Sequence, residues 1–143
     1  MKKFVVFLAI VILIVVGVIY AQSNYQNNER EISKENKFYE EYLNKKINGI
    51  SLGTVINKAV DSNYKNEVEK DSNGQYLDNG TNSINIDIKM IDNDKTYSME
   101  AIYNGGISEF TSYYGIIDFE CKTIEYHKNT GRVKYMLFEQ ITQ

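Results

Sequence analysis

Proline and tryptophan are absent from the chain, and cysteine and histidine occur once each, as Cys121 and His127. A lone cysteine cannot form an intrachain disulfide, so a domain made by this chain has to be stabilised by its hydrophobic core. A zinc site needs three or four cysteine, histidine or carboxylate ligands, and one thiol with one imidazole does not supply them. We therefore expect no metal site and no cofactor.

Basic residues are few relative to acidic ones. The chain has 16 lysines and arginines against 19 aspartates and glutamates, and two of the basic residues, Lys2 and Lys3, precede the first apolar segment. Phosphate binding requires a concentrated basic face, so this balance argues against nucleic acid as a partner. It also argues against binding to anionic lipid head groups beyond a membrane anchor.

Phe4–Ala21 is an uncharged, apolar run of 18 residues that follows the two lysines. A helix of this length spans about 27 Å, close to the roughly 30 Å of a hydrocarbon core. We therefore predict a transmembrane anchor at 4–21, with residues 1–3 in the cytoplasm and residues 22–143 outside it by the positive-inside tendency. The alternative is a secretory signal cleaved after Ala21, although the run is longer than the usual signal core. The residue directly after it is Gln22 and not a cysteine, which excludes lipid attachment at a new N-terminal cysteine there.

Two amphipathic helices are predicted after the apolar run. Residues 29–47 are rich in helix formers and lack glycine and proline, so we interpret 22–48 as a juxtamembrane helix. Its apolar stripe is Ile32, Phe38, Tyr39, Tyr42, Leu43 and Ile47. The second helix is predicted at Ser51–Ser62, with Ser51 as its N-cap and Asn63 closing it. Its apolar face is Leu52, Val55, Ile56, Ala59 and Val60.

Alternation of apolar and polar residues predicts strands in the second half of the chain. The predicted strands are Ser83–Ile91, Thr96–Tyr103, Ile116–His127 and Arg132–Gln140. The first two form a hairpin around a turn at 92–94, and the last two form a second hairpin with a bulge near Lys122 or Thr123. The last strand is predicted to turn Val133, Tyr135 and Leu137 inward.

Residues 49–143 are thus expected to form one α+β domain, in which one or two amphipathic helices cover one face of a four-stranded antiparallel sheet. Tyrosine is abundant, with 12 residues. Tyrosines that remain exposed combine an apolar ring with a polar hydroxyl and are typical of contact surfaces. The candidate interaction residues are Ile32, Tyr39, Tyr42, Leu43, Tyr113 and Tyr114.

Two pairs of residues test whether the chain carries catalytic chemistry. Cys121 and His127 lie on one predicted strand about 20 Å apart, so they cannot form a nucleophile and base pair. Asp118 and Glu120 point to one face of that strand, about 6–7 Å apart, which is a spacing that glycosidases use. Exposed strands commonly carry such pairs, and Lys122 supplies balancing charge, so a hydrolase is the less favoured interpretation.

Oxygen-bearing side chains in turns invite a calcium hypothesis. They are Asp71, Asn73, Asp78, Asn79, Asp92, Asn93 and Asp94. The EF-hand pattern requires ligands at alternate positions, a glycine at the sixth and a glutamate at the twelfth, and neither segment has it. The same residue types favour tight turns, so we interpret them as turn formers.

An apolar N-terminal segment that leads into a helix and a four-stranded antiparallel sheet resembles the order of elements in type IV pilins and pseudopilins. Those proteins have a glycine before the apolar helix and a glutamate at its fifth position, where this chain has Lys3 and Leu8. The segment NGISLGTVINKAVDSN also resembles one in small, membrane-anchored proteins of Gram-positive bacteria. These resemblances imply an envelope location and no particular reaction.

The expectation is a non-enzymatic, membrane-anchored extracytoplasmic protein with a structural or interaction role in a bacterial envelope, in a pilin-like assembly or with a protein partner. A secreted soluble binding module, released by cleavage after Ala21, is the first alternative. A small hydrolase that uses Asp118 and Glu120 is the second.

Overall fold

The computed structural model describes residues 1–91 and 94–141, and the chain divides into two compact units, Met1–Lys34 and Glu35–Gln143. The first unit is helical from Lys2 and belongs to α1 (Lys2–Glu40), in which no proline interrupts the hydrogen-bond ladder. An 18-residue window of α1 has a mean hydropathy of 3.2, and none of it is buried. The prediction of an N-terminal helix long and apolar enough to cross a membrane is confirmed for the described residues, and both an anchor and a signal sequence fit it.

The juxtamembrane helix predicted at 22–48 is not helical to its end, because α1 stops at Glu40. The chain leaves α1 through Asn44, whose φ of 56° lies in the left-handed region and whose N–H donates to the carbonyl of Cys121 at 2.9 Å. A strand, β1 (Lys46–Asn48), follows. The helix predicted over 29–47 is wrong in this part because a distant strand supplies the backbone partners that another helical turn would have provided.

The next helix, α2 (Gly49–Lys65), starts before the predicted one and ends after it. The side chain of Asn48 accepts a hydrogen bond from the N–H of Ser51 at 2.9 Å, so Asn48 and not Ser51 is the N-cap. The predicted apolar face is confirmed, because Leu52, Val55, Ile56, Ala59 and Val60 are all buried. Asn63 does not close the helix. It is fully buried, donates to the carbonyl of Ile84 at 2.7 Å and accepts from the N–H of the same residue at 2.8 Å.

Among the described residues the sheet has five strands. In addition to β1 they are β2 (Asn85–Lys89), β3 (Thr96–Ser98), β4 (Asp118–Tyr126) and β5 (Val133–Gln140), in the spatial order β1-β4-β5-β2-β3. β2 and β5 are parallel, and the other neighbours are antiparallel. The α+β class is confirmed, but the four-stranded antiparallel sheet is wrong. The additional strand is β1, whose residues were predicted to be helical. The two hairpins are joined through the parallel pair of β2 and β5.

Two short helices, α3 (Met99–Gly105) and α4 (Ile107–Tyr114), connect β3 to β4. The strand predicted at Thr96–Tyr103 therefore ends early. The side chain of Ser98 accepts from the N–H of Ala101 at 3.3 Å, so this serine caps α3 and stops the strand. A crossover of this kind is what a parallel pair requires, because its strands cannot be joined by a tight turn.

Both predicted hairpins are present, since β2 pairs with β3 and β4 pairs with β5. Residues 92 and 93, which belong to the first predicted turn, lie outside the described part of the chain. The predicted bulge is confirmed by a register shift between Cys121 and Thr123. A bulge of this type inserts an unpaired residue and changes which side chains face the core.

The last strand faces the core in a different phase from the predicted one. Val133 is buried as predicted, but Met136 and Phe138 follow it inward in place of Tyr135 and Leu137. A second register irregularity in the β4–β5 pair accounts for this difference. An extra residue on one strand reverses the inward and outward positions beyond it.

Polar contacts fix the last turns of α1 to the rest of the second unit. Glu35 accepts from the hydroxyl of Ser62 at 2.5 Å and pairs with the guanidinium of Arg132 at 3.2 Å. Asn36 accepts from the N–H of Val133 at 2.9 Å and donates to the carbonyl of Gly131 at 2.7 Å. These contacts satisfy main-chain groups at the start of β5 and set the position from which the next turn inserts into the core.

Tyr39, on that next turn, is fully buried. Its ring meets Phe38 edge to face, with centroids 5.1 Å apart. Its hydroxyl has no hydrogen-bond partner in the described part of the chain. Burial, followed by the nearby carboxylates of Glu35 and Asp61, raises the pKa of this hydroxyl far above its usual range. The phenol therefore stays neutral and acts as a core side chain with an unpaired polar atom.

Tyr39→Phe is expected to raise the free energy of unfolding by about 1 kcal/mol, because it removes a buried hydroxyl that has no partner. The matched control is Tyr126→Phe, which removes a hydroxyl that donates to Glu40 at 2.8 Å and should lower the free energy of unfolding slightly. Urea unfolding followed by circular dichroism measures both. A loss of stability in Tyr39→Phe as large as that in the control would show that the hydroxyl of Tyr39 is paired.

Candidate functional site

The candidate interaction residues differ in how far the structure leaves them exposed. Ile32 and Tyr39 are buried, so neither presents an exposed side chain to a partner. The others retain exposed surface. Leu43 is 38% exposed, Tyr113 is 71% exposed, and Tyr42 and Tyr114 are half-buried.

An aromatic cleft brings two of these residues together. The cleft has a volume of about 330 Å³ and lies between β3, α3, α4 and the end of β2. Its buried lining consists of Met90, Ile102 and Phe110, and its more exposed lining includes Tyr97, Ala101, Gly105, Gly106, Glu109, Tyr113 and Tyr114. This volume lies at the small end of the range for ligand pockets, about 300–1,000 Å³.

Local sequence explains why the cleft forms where it does. Gly106 has a φ of 100°, in a region that side-chain-bearing residues rarely adopt, and it reverses the chain between α3 and α4. The reversal leaves a gap between the two helices. Phe110 stacks on Tyr114 with centroids 5.3 Å apart and lies 6.2 Å from Phe119, which fixes α4 on the core. Tyr113, one position earlier, is left facing outward.

The cleft has a simple electrostatic character. Four of its lining residues are aromatic, and Glu109 is the charged residue among those that line it. Glu109 is exposed and forms no ion pair with any other residue of the described ranges. Aromatic faces carry negative electrostatic potential, so the rings and the carboxylate act in the same direction.

Cys121, the single thiol, is buried on β4. Its Sγ lies 3.6 Å from the carbonyl of Thr123, and desolvation raises the pKa of the thiol to about 11. A neutral, buried thiol is a core side chain and a poor nucleophile.

We expect Cys121 to react with a disulfide reagent at pH 8 at least a hundredfold faster in urea than in the folded protein. At that pH a group with a pKa near 11 is ionised to about 0.1%, and burial blocks access as well. Thiol absorbance assays with and without denaturant give the two rates. Rapid labelling of the folded protein would contradict the buried, protonated state.

His127 lies in a polar cluster that the sequence did not reveal. The imidazole is buried, and its Nε2 lies 2.7 Å from the carbonyl of Ser83, so this nitrogen carries the proton. Its Nδ1 is 3.6 Å from a carboxylate oxygen of Asp78. The N–H of Gly80, and then the electrostatic effect of His127, hold the pKa of Asp78 below its usual range.

Asp78, His127 and Ser83 have the residue types of a hydrolase triad without its geometry. A triad requires the imidazole to accept the proton of the serine hydroxyl. Here the imidazole contacts the serine main chain, while the hydroxyl of Ser83 donates to Asp78 at 3.4 Å and accepts from the N–H of Asn79 at 3.1 Å. These contacts hold the 78–83 loop against the turn between β4 and β5, so we interpret the cluster as structural.

Asp118 and Glu120 share the outer face of β4, as predicted, and each is paired with a lysine. Lys46 lies 2.7 Å from Asp118, and Lys122 lies 2.7 Å from Glu120. A glycosidase needs one carboxyl group that is kept protonated by an apolar environment. Asp118 and Glu120 each face a lysine ammonium group instead.

The turn residues considered for calcium use their oxygens in local hydrogen bonds. Asp71 accepts from the N–H groups of Asn73 and Gln75, and Asn79 accepts from three successive N–H groups at 81–83. Among the described residues there is no group of three histidine, cysteine, aspartate or glutamate side chains that could hold a metal ion. Asp92 and Asn93 lie outside those residues.

Comparisons of the chain with models of known protein families, with curated proteins and with solved structures gave no match.

Proposed function

We propose that this chain is a non-enzymatic, single-pass membrane protein whose second unit lies outside the cytoplasm and has a structural or interaction role in a bacterial envelope. The exposed apolar segment Phe4–Ala21 carries this proposal. An apolar side chain of the size of valine, leucine or phenylalanine gains about 1.5–3 kcal/mol on leaving water. A segment made of such residues therefore needs an apolar environment, and its length fits a bilayer.

The direction of insertion follows from charge. Lys2 and Lys3 precede the apolar segment, and cytoplasmic ends of membrane helices carry an excess of basic residues. The part that follows the segment is acidic overall. The basic residues before the segment favour placing the second unit on the outer side, whereas acidic residues contribute little to orientation.

The environment of the reactive side chains supports an interaction role over a catalytic one. The thiol of Cys121 is buried and protonated, and the imidazole of His127 is bonded to main chain. Asp118 and Glu120 are paired with lysines. The aromatic cleft is open by contrast, and it includes Tyr113 and Tyr114 of the predicted interaction surface. We propose this cleft as the contact site.

The test is the intact mass of the protein taken separately from membrane and culture-supernatant fractions. A membrane-bound species that retains Phe4–Ala21 is the expected result. A supernatant species that starts at Gln22 would replace the anchored role with that of a secreted binding module. Loss of only the first three residues would support processing of the pilin type.

A pair of substitutions separates membrane insertion from other causes of sedimentation. Ile12→Lys places a charge near the middle of the apolar segment, which costs about 2.5–3.5 kcal/mol of insertion free energy. It should shift protein out of the carbonate-washed membrane fraction. Ser23→Lys adds the same charge outside the segment and should have little effect. Equal behaviour of the two variants would contradict a spanning segment.

A further inference from the structure

The geometry points to an organic cation, specifically a quaternary ammonium group, as the ligand of the aromatic cleft. This inference names the ligand class for the contact site proposed above and rests on that proposal. It depends on the cleft between β3, α3 and α4 and on the side chains of Tyr97, Glu109, Tyr113 and Tyr114 that line it.

The first step is the shape and chemistry of the lining. Met90, Ile102 and Phe110 are buried and make the inner surface apolar. Tyr113, which is 71% exposed, and Tyr97 add aromatic rings nearer the solvent. A site with an apolar interior and aromatic surroundings accepts a methylated or hydrocarbon group and excludes a strongly hydrated one.

The second step is charge complementarity. The acidic side chain of Glu109 lies on the cleft, and within the described ranges it has no basic partner. Its place in the first turn of α4 is favoured by the helix dipole, but the dipole does not account for the aromatic side chains around it. A carboxylate beside aromatic faces attracts a cation through two effects of the same sign.

The third step distinguishes between kinds of cation. A primary ammonium group is strongly hydrated and has three N–H donors to satisfy, for which the side chains of the lining offer one carboxylate, that of Glu109, and tyrosine hydroxyls. A quaternary ammonium group has no N–H to satisfy, and its methyl groups fit an apolar interior. Recognition of such groups by aromatic residues is an established use of cation–π attraction.

The experiment is a titration of the full chain in a maltoside detergent, which itself has no ammonium group, with tyrosine rings labelled for NMR. Choline chloride is the probe, sodium chloride controls for ionic strength, and 3,3-dimethylbutan-1-ol is the neutral isostere of choline. We expect saturable shifts of the Tyr97 and Tyr113 signals with choline. The isostere should bind about tenfold more weakly, because it lacks the charge.

Variants test the residues. Glu109→Gln should weaken choline binding about fivefold while leaving the isostere unchanged. Glu69→Gln removes the same charge from an exposed residue outside the cleft and should have no effect. Tyr113→Phe should bind choline normally, and Tyr113→Ala should bind it several-fold more weakly. Tyr113 is largely exposed, so neither change endangers folding.

Equal binding of choline and its isostere would overturn the inference and leave a merely apolar cleft. Absence of saturable shifts, or equal loss in Glu109→Gln and Glu69→Gln, would also overturn it. These results are independent of the fractionation test. A secreted, cleaved protein that still binds choline would refute the membrane anchor alone, and an anchored protein that ignores choline would refute the ligand class alone.

Discussion

Gly49→Ala is expected to lower the free energy of unfolding by about 3 kcal/mol or more, enough to leave a large fraction of a marginally stable domain unfolded. A Cβ at this position would overlap the carbonyl oxygen of Tyr114, lie 2.6 Å from its carbonyl carbon, and approach the Cα of Gly115 at 3.2 Å. These are backbone atoms of another element, so no side-chain rotation can relieve the overlap. The N–H of Gly49 also donates to the carbonyl of Ile117 at 2.9 Å, which holds the two segments together.

Urea unfolding of the full chain, followed by circular dichroism, tests this expectation. Gly105→Ala is the matched control, because a Cβ there would have no atom within 4 Å and its φ is not in the left-handed region. The control should be neutral or slightly stabilising, since it reduces the entropy of the unfolded chain. A Gly49→Ala protein as stable as the control would show that Gly49 and the main chain at Tyr114 are not in close contact.

The features of the fold that were predicted correctly are those determined by the pattern of neighbouring residues. The face of α2 follows from apolar residues three and four positions apart, and the hairpins follow from alternation around turn residues. The bulge of β4 was visible as a change of phase near Thr123. Each of these features depends on residues that are close together in the chain.

The wrong predictions concern segments whose structure depends on residues far away in the sequence. Residues 46–48 have a helical composition, but they pair with Asp118–Glu120 and become an edge strand. The parallel pair of β2 and β5 likewise joins segments that no local pattern connects. α3 is different, because Ser98 before it and Asn104-Gly105 at its end are a recognisable start and stop for a helix. The alternating pattern of Thr96–Tyr103 favoured a strand, so these helix signals were not used in the prediction.

The candidate site was predicted in part. Tyr113 and Tyr114 were identified from tyrosine content alone, and they do line the cleft. Glu109 was not identified, because its importance comes from its neighbours across the cleft and not from a motif. Met90, the residue after β2, also lines the cleft. A site assembled from three elements and a strand end has no fixed spacing in the sequence.

Asn63→Ala is expected to lower the free energy of unfolding by about 3 kcal/mol. The carboxamide of Asn63 bonds to Ile84 in the way that a neighbouring strand would. It donates to the carbonyl of Ile84 at 2.7 Å and accepts from its N–H at 2.8 Å. Both residues are buried, so alanine would leave a donor and an acceptor unpaired, each at a cost of about 1–3 kcal/mol. Asn57→Ala, on the same helix and only half-buried, is the control and should change stability little.

Asn63→Asp replaces the donating nitrogen of the carboxamide with an oxygen and keeps the other heavy atoms of the side chain. An ionised carboxylate keeps the acceptor for the N–H of Ile84 but repels its carbonyl, whereas a protonated carboxyl supplies the missing donor. Burial and this carbonyl should raise the folded-state pKa of the new aspartate above its unfolded value of about 3.9. Its stabilising effect is then complete below that unfolded value and is lost as pH rises through the folded pKa. Unfolding curves of the variant and the wild type should therefore converge toward acidic pH, and a stability difference that does not change with pH would refute the paired role of this side chain.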